Sequence, residues 1–425
     1  MRPPPILSES PPPDLPRFLA ARHHGLGDVF ALDTRAGAPT AYCVGSAAVR
    51  EMFAREREGG LAVHNTATVH TLFRRAVFTL RGREHETVRT YLSAGLRHDA
   101  VAAYLPSVAE VAHRHVSRWA EAAVVALYQA ARDYTMEVCL TAILGLAADD
   151  PTALRVPELF DRFVVGAELP PTHSEGGDEV FAAALDAAVE LRELLQACTV
   201  RAADSARPSV VSALIASGRA PGGEGVDHLL ALLIAARETT ASLVTWLLIE
   251  CALDDQLADA LATDARDLVT DPVQAIVRGG APGLRRVLAE CARLHTPNTI
   301  ATRQAVTDVQ VGGYTIPAGW HVAYSAPATH LLPELFTDPE AFHPQRFCGP
   351  DGARRAAGLL AFGRGAHACA GRGFAEATTL LLVAVVLAGY RIDLDPRQRP
   401  KVERFQPVRA PAGSVHARVR QVVRR

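Results

Sequence analysis

Phe362-Gly363-Arg364-Gly365-Ala366-His367-Ala368-Cys369-Ala370-Gly371 is the stretch on which the reading of the whole chain turns. Its glycines permit tight turns and a close approach of backbone to a ligand. The alanine- and leucine-rich run from Gly373 to Leu387 that follows predicts a helix. Cys369 then stands at the mouth of that helix, where the dipole and free backbone N–H groups favour a thiolate. Such a thiolate is a strong, soft metal ligand. Other readings stay open on these residues alone. Gly363 to Ala368 fits GxGxxA formally, but no βαβ frame precedes it and no acidic residue follows at the right distance. A phosphate loop would need Gly-Lys-Ser/Thr. A Cys–His nucleophile meets an awkward spacing, with His367 two residues from Cys369, and a buried inert cysteine is the bland alternative.

The rest of the composition narrows the class. The chain has 425 residues, 49% hydrophobic and 21% charged, which suits a soluble protein with a large core. Its 44 basic and 46 acidic residues give a net charge of −2, so no basic field points to nucleic acid or an anionic membrane. Seven cysteines, odd in number and without a CxxC, argue against a disulfide framework or a four-cysteine zinc site and for a reducing cytoplasm. The start, MRPPPILSESPPPDLP, is proline-rich and lacks the apolar core of a signal peptide. The longest uncharged apolar stretch, Ala377 to Tyr390, falls short of the roughly 18 residues of a membrane span. The expectation is a cytoplasmic protein with no membrane anchor and no nucleic-acid partner.

Alanine- and leucine-rich segments with helical spacing fill most of the chain, broken at Pro170-Pro171 with Gly176-Gly177, at Pro208, at Pro221 to Gly225 and at Gly279 to Gly283. Strand character is confined to Asp28–Asp33 with Thr40–Val44, and to Val306–Val311 and Tyr314–Ile316 around Gly312-Gly313, followed by His321–Tyr324. This predicts a mainly α protein with small β-sheets: residues 1–25 as a proline-rich N-terminal segment and 26–425 as one large domain. Val226 to Ala252 is apolar on nearly every face except at Arg237-Glu238, so it should be a buried helix roughly 40 Å long. A carboxylate at its middle is costly unless paired, hydrated or used. Glu238-Thr239-Thr240 is therefore either a structural polar cluster, with the Thr239 hydroxyl bonded back to the Ala235 carbonyl, or an acid–alcohol pair lining a cavity.

FGRGAHACAG resembles the haem-ligand loop of the cytochrome P450 monooxygenases, Phe-Gly-x-Gly-x-x-x-Cys-x-Gly, and fills every fixed position. Other matches follow the family's order. Ala235-Ala236-Arg237-Glu238-Thr239-Thr240 resembles its oxygen-side helix, with Ala236 where glycine is usual. Glu290-Cys291-Ala292-Arg293 resembles its Glu-x-x-Arg pair, and Phe342-His343-Pro344-Gln345-Arg346-Phe347 its Phe-x-Pro-x-Arg-Phe, whose Arg346 would complete a buried triad. His85-Glu86-Thr87-Val88-Arg89 resembles its His-x-x-x-Arg, and Arg303 the arginine before its hairpin strand. At His330-Leu331-Leu332-Pro333 the chain departs from the Arg-Asp-Pro that many members carry.

The resemblance implies a single-domain P450-like fold with haem b between the long central helix and the cysteine loop. Cys369 would be the axial thiolate, with Phe362, Gly363 and Gly371 shaping its loop and Ala235 against the ring. His85, Arg89, Arg303 and His367 would meet the two propionates, since buried carboxylates need cationic or hydrogen-bonding partners. Thiolate ligation favours O–O cleavage. The implied activity is insertion of one oxygen atom from O2 into a lipophilic small molecule, in bacterial secondary metabolism, with Thr239 hydrogen-bonding dioxygen or a water and Glu238 relaying protons. With no flavin domain in the sequence, electrons would come from an external ferredoxin and its reductase, docking near Arg83, Arg354, Arg355, Arg364 and Arg372. Gly59–Phe78, Val164–Val180, Leu294–Ile300 and Phe405–Pro411 would line the substrate pocket. A peroxide-dependent or non-oxygenating relative, or an inactive scaffold of the same fold, is the alternative.

Overall fold

Short β-branched and aromatic runs and long alanine-leucine runs separate cleanly along this chain, and they fold into two different kinds of unit. The computed structural model describes residues 2–33, 37–167, 177–203, 205–218, 225–394, 400, 402–404, 408–411 and 415–422. The Pro170-Pro171 break, most of Pro221 to Gly225 and residues 405–407 of the expected pocket stretch lie outside them.

The first unit takes Met1–Asn65, Ala289–Cys369 and Arg404–Arg409. Its centre is a six-stranded mixed sheet in the order Ile6–Leu7, Val29–Leu32, Thr40–Cys43, His321–Tyr324, Ala301–Ala305, Leu61–Val63. Thr40–Cys43 and His321–Tyr324 pair in parallel, with Tyr42 opposite Ala323. The expected strands are present. The proline-rich start supplies the edge strand Ile6–Leu7 and the helix Leu15–Leu26, opened by the Asp14 side chain accepting from the Arg17 N–H. Gly312 and Gly313 close the Val309–Val311 and Tyr314–Ile316 hairpin at φ +58° and +80°, a backbone that side chains rarely adopt. One face of the main sheet packs with Val49, Met52 and Phe53 of the helix Ser46–Arg57, the other with Leu19 and Leu332.

The second unit, Thr66–Leu288 with Ala370–Glu403 and Ala410–Arg425, is helical. Its axis is the helix Gly225–Leu253, within a residue of the expected bounds at each end. At 1.5 Å per residue it runs about 43 Å. The helices Leu127–Val138, Gly177–Ala202 and Arg372–Gly389 pack on it. An antiparallel sheet of Tyr390–Leu394, His416–Gln421 and Val125–Ala126 closes one side. Among the described residues two helices, Gly225–Leu253 and Arg372–Gly389, are long and apolar enough to cross a membrane. They are core helices here, with 72% and 67% of their apolar windows buried.

Candidate functional site

The cysteine loop belongs to the first unit, and its glycines are there for a steric reason. Gly363 and Gly365 sit at φ +67° and +73°. A Cβ on Gly363 would approach the Tyr324 hydroxyl at 3.2 Å, and one on Gly365 would approach the Phe53 ring at 3.2 Å. The loop therefore lies flat on the Phe53–Tyr324 aromatic pair, whose rings meet at 65°. Three backbone bonds hold it: Gly363 N–H to the Leu360 carbonyl, Ala368 N–H to Gly365, and Cys369 N–H to Phe362 at 2.8 Å.

Those turns present one thiol outward. Of the seven free cysteines, only Cys348 and Cys369 are exposed. Burial pushes the thiols of Cys43, Cys139 and Cys251 up to about 12, which makes them inert core groups. Among the described residues no group of three or more His, Cys, Asp or Glu side chains could hold a metal ion, so as a ligand Cys369 offers a single sulfur and not a corner of a metal cage.

Beside the loop stands a buried charge cluster. Arg303 lies on the strand Ala301–Ala305 with its side chain 6% exposed. Its Nε donates to Glu56 Oε1 at 2.5 Å. His367 Nε2 is 3.9 Å from the same oxygen, and Glu56 Oε2, also buried, has no hydrogen-bond partner among the described residues. Two of the expected carboxylate partners, Arg303 and His367, are thus gathered by one glutamate. Glu56 escaped the sequence reading because it lies in Arg55-Glu56-Arg57-Glu58, which looks like the charged end of a surface helix.

Behind the loop, the Glu290–Arg293–Arg346 triad is present and buried. Arg293 meets Glu290 through two nitrogens at 2.8 and 2.9 Å, and Arg346 Nε reaches Glu290 Oε1 at 2.9 Å. The other Arg293 bonds go to the carbonyls of His330, Pro339 and Ala341. The pocket stretches Leu294–Ile300 and Phe405–Pro411 meet where Arg409 N–H donates to the Pro297 carbonyl.

The second unit carries the remaining candidates. His85 is buried and Arg89 half-buried on one face of the helix Gly82–Leu96. On the central helix, Leu232, Ala235, Ala236 and Thr239 are the incompletely buried positions of a single stripe, at i, i+3, i+4 and i+7. Ala235 is exposed on it, and the Thr239 hydroxyl donates to the Ala235 carbonyl at 2.6 Å. Glu238 points elsewhere. Its carboxylate, 4% exposed, receives Arg132 Nε at 3.2 Å and the Tyr128 hydroxyl at 3.4 Å, with Arg237 Nη1 at 3.2 Å. Both arginines continue to the exposed Asp161, at 3.5 and 2.6 Å. Arg132, Tyr128 and Asp161 carry no local signal in the sequence. Phe73 and Phe78, from the expected stretch Gly59–Phe78, form an edge-to-face cluster with Phe163, one residue before the expected stretch Val164–Val180.

Each part fits a haem. An outward cysteine suits an iron ligand, a buried guanidinium and a half-buried imidazole beside it suit carboxylates, and a stripe with two adjacent alanines on a buried helix suits a flat apolar ring.

Comparison with known proteins gives the same direction. The family model "Cytochrome P450" matches residues 224–415. The chain is 32% identical over 180 residues to a cyclooctat-9-en-7-ol 5-monooxygenase of Streptomyces melanosporofaciens, an alignment spanning 40% of this chain and 38% of that enzyme. It is 26% identical over 380 residues, 84% of each chain, to a cytochrome P450 120 of Synechocystis sp.. It is 25% identical to abscisic acid 8'-hydroxylase 4 of Arabidopsis thaliana, over 74% of this chain and 69% of that one. Among solved structures, the retinoic acid-bound cyanobacterial CYP120A1 superposes with a TM-score of 0.83, covering 99% of this chain and 100% of that chain at 21% identity.

Proposed function

This chain belongs to the cytochrome P450 family, and on that premise we propose that it is a haem-thiolate monooxygenase that inserts one oxygen atom from O2 into a C–H or C=C bond of a lipophilic small molecule. The observation that carries the reading is the Cys369 loop, which spends two positive-φ glycines and an aromatic floor to hold one thiol outward. When bound, haem b supplies oxygen activation and electron acceptance. Cys369 would hold its iron, and Arg303 and His367, with His85 and Arg89, its carboxylates.

The remaining work belongs to the polypeptide. Ala235 and Ala236 give a close, apolar wall. Thr239 has donated its hydroxyl hydrogen to Ala235, so its oxygen could accept a hydrogen bond from a water and hold it in place. Glu238 is anchored by Arg132 and Arg237 to Asp161, a polar series that starts beside Thr239 in sequence and ends at solvent. The guanidiniums stay charged and only hold the carboxylates in place; water ordered by Glu238 and Asp161 would carry the protons in from solvent, with Glu238 as the relay toward the Thr239 turn.

The relatives support a lipophilic substrate. Their names speak of cyclooctat-9-en-7-ol, abscisic acid and retinoic acid, all lipophilic. Phe73 and Phe163 are buried, which leaves the half-buried Phe78, packed edge-to-face on Phe73, as the ring of this cluster that would touch a molecule of that kind. We place the enzyme in bacterial secondary metabolism in the cytoplasm, served by an external ferredoxin and its reductase. In the first unit Arg354 and Arg364 are exposed or half-exposed donors, tied to Asp351 and the Ala357 carbonyl. The deciding experiment is the absorption spectrum of purified protein, reduced and exposed to carbon monoxide. A strongly red-shifted Soret band is expected, absent in Cys369→Ala. A band at the histidine-ligated position in the wild type overturns the assignment.

A further inference from the structure

The departure at His330-Leu331-Leu332-Pro333 has a role that the oxygenase reading does not use. His330 ends the short helix Ala326–His330 and is 2% exposed. Its ring joins two distant segments. Nδ1 lies 3.0 Å from the Arg293 carbonyl and 3.3 Å from the Thr296 hydroxyl. On the other side, the Leu360 N–H donates to Nε2 at 3.0 Å. An amide N–H needs a lone pair, so Nε2 is unprotonated and Nδ1 carries the hydrogen that goes to Arg293. Arg293 returns a bond from its Nη1 to the His330 carbonyl, at 3.1 Å. The two residues therefore clasp each other, side chain to backbone in both directions. Phe336 packs edge-on against the imidazole and beneath the Arg293 guanidinium, fixing both planes.

Leu360 is where the cysteine loop begins. Its carbonyl accepts the Gly363 N–H at 2.9 Å, opening the turn whose next bond is Cys369 N–H to Phe362. One unbroken run of hydrogen bonds thus leads from the buried Glu290–Arg293 pair through the imidazole to the loop. We propose that His330 is a positioning residue for the Cys369 loop: its neutral imidazole pins the Leu360 amide to the last turn of the helix Pro282–Leu294 and so sets where the loop's first turn starts.

Two amide substitutions separate this role from mere packing. In His330→Gln the side-chain carbonyl can reach the Leu360 N–H as Nε2 does. In His330→Asn the shorter amide can replace only Nδ1. Both lose the ring, so a purely space-filling role would cost them alike. The first readout is hydrogen exchange of peptides spanning 356–369 in the purified full chain. Exchange at Leu360 should accelerate about tenfold in His330→Asn, the value of one lost buried hydrogen bond, and stay within about twofold of wild type in His330→Gln. Equal protection in the two variants overturns the proposal. The second readout rests on the haem-thiolate reading: conversion of the reduced, carbon monoxide-treated protein from the red-shifted band to the shorter-wavelength band should be faster in His330→Asn than in His330→Gln. If both convert alike, the loop is positioned by something else. Absence of the red-shifted band in the wild type would sink the haem-thiolate reading alone, because the exchange comparison stands without it.

Discussion

Arg303 and Glu56 lie 247 residues apart in sequence and 2.5 Å apart in the fold, the guanidinium 6% exposed and the carboxylate 8%. Each neutralises a charge that neither could keep alone in so dry a place. Glu56→Ala leaves Arg303 buried and unpaired, a defect worth about 3–5 kcal/mol. A haem carboxylate held by Arg303 would replace part of what is lost. Urea unfolding should therefore show a larger drop in midpoint for haem-free than for haem-loaded Glu56→Ala. Equal drops would mean that Arg303 does not face the cofactor.

Thr239→Ala removes the hydroxyl on the central helix's alanine stripe without touching the salt-bridge cluster behind it. Product formed per NADPH should fall about tenfold, the worth of one well-placed hydrogen bond, while NADPH consumption continues. The check is simultaneous measurement of NADPH, product and hydrogen peroxide with a surrogate ferredoxin. Unchanged coupling with substrate bound removes Thr239 from the mechanism.

Glu238→Gln keeps the shape of the buried side chain and discards its proton-carrying function. Turnover should fall by about 10²-fold, the usual scale for a positioned acid or base, and the solvent deuterium isotope effect on turnover should rise. A matching loss in Glu238→Gln and Arg132→Ala would assign the pair to one path. A full-rate Glu238→Gln enzyme would leave the cluster with a structural role.

Burial holds His330 down at about 3, against an ordinary value of 6.5. A histidine depressed by folding stabilises the native state fully above its unfolded value, and that contribution is lost as pH falls below 6.5 toward 3. Between about pH 6 and 4 the wild type should lose up to about 1.4 kcal/mol per pH unit more than His330→Gln. Parallel acid titrations of unfolding free energy give the comparison, and coincident slopes would contradict a neutral buried imidazole.

Reduction by an acidic ferredoxin should slow as salt rises from about 0.05 to 0.5 M, because exposed charge pairs are screened over that range. Stopped-flow rates insensitive to salt would exclude steering by Arg354 and Arg364.

Much of this was legible in one dimension because it is local. The helix Gly225–Leu253 announces itself by length and apolarity, the Gly312-Gly313 hairpin by its turn, and the cysteine loop by glycines whose positive φ the structure requires. What escaped is non-local. Ala301-Thr302-Arg303-Gln304-Ala305 has no apolar alternation, yet it is a central strand, because Arg303 can be buried once Glu56 arrives from the far end of the sequence. Glu238 sits beside Thr239 in sequence, but a helix turns about 100° per residue, so the two side chains part company: one to the stripe, the other to Arg132 and Arg237. His330 looked like a departure from a pattern, and only its contacts with Arg293 and Leu360 reveal what it holds.

The parallel pairing of Thr40–Cys43 with His321–Tyr324 also imposes an order of events during synthesis. The first strands leave the ribosome early, but their neighbour in the sheet emerges only after the whole helical stretch 66–288 has been made. At about 5–20 residues per second that is a delay of roughly ten seconds or more, during which apolar strands such as Val29–Leu32 have only each other to pair with. Helices form from near neighbours and need not wait. The first sheet is therefore completed late, and the cysteine loop that follows the last of its strands has no finished floor to settle on until then.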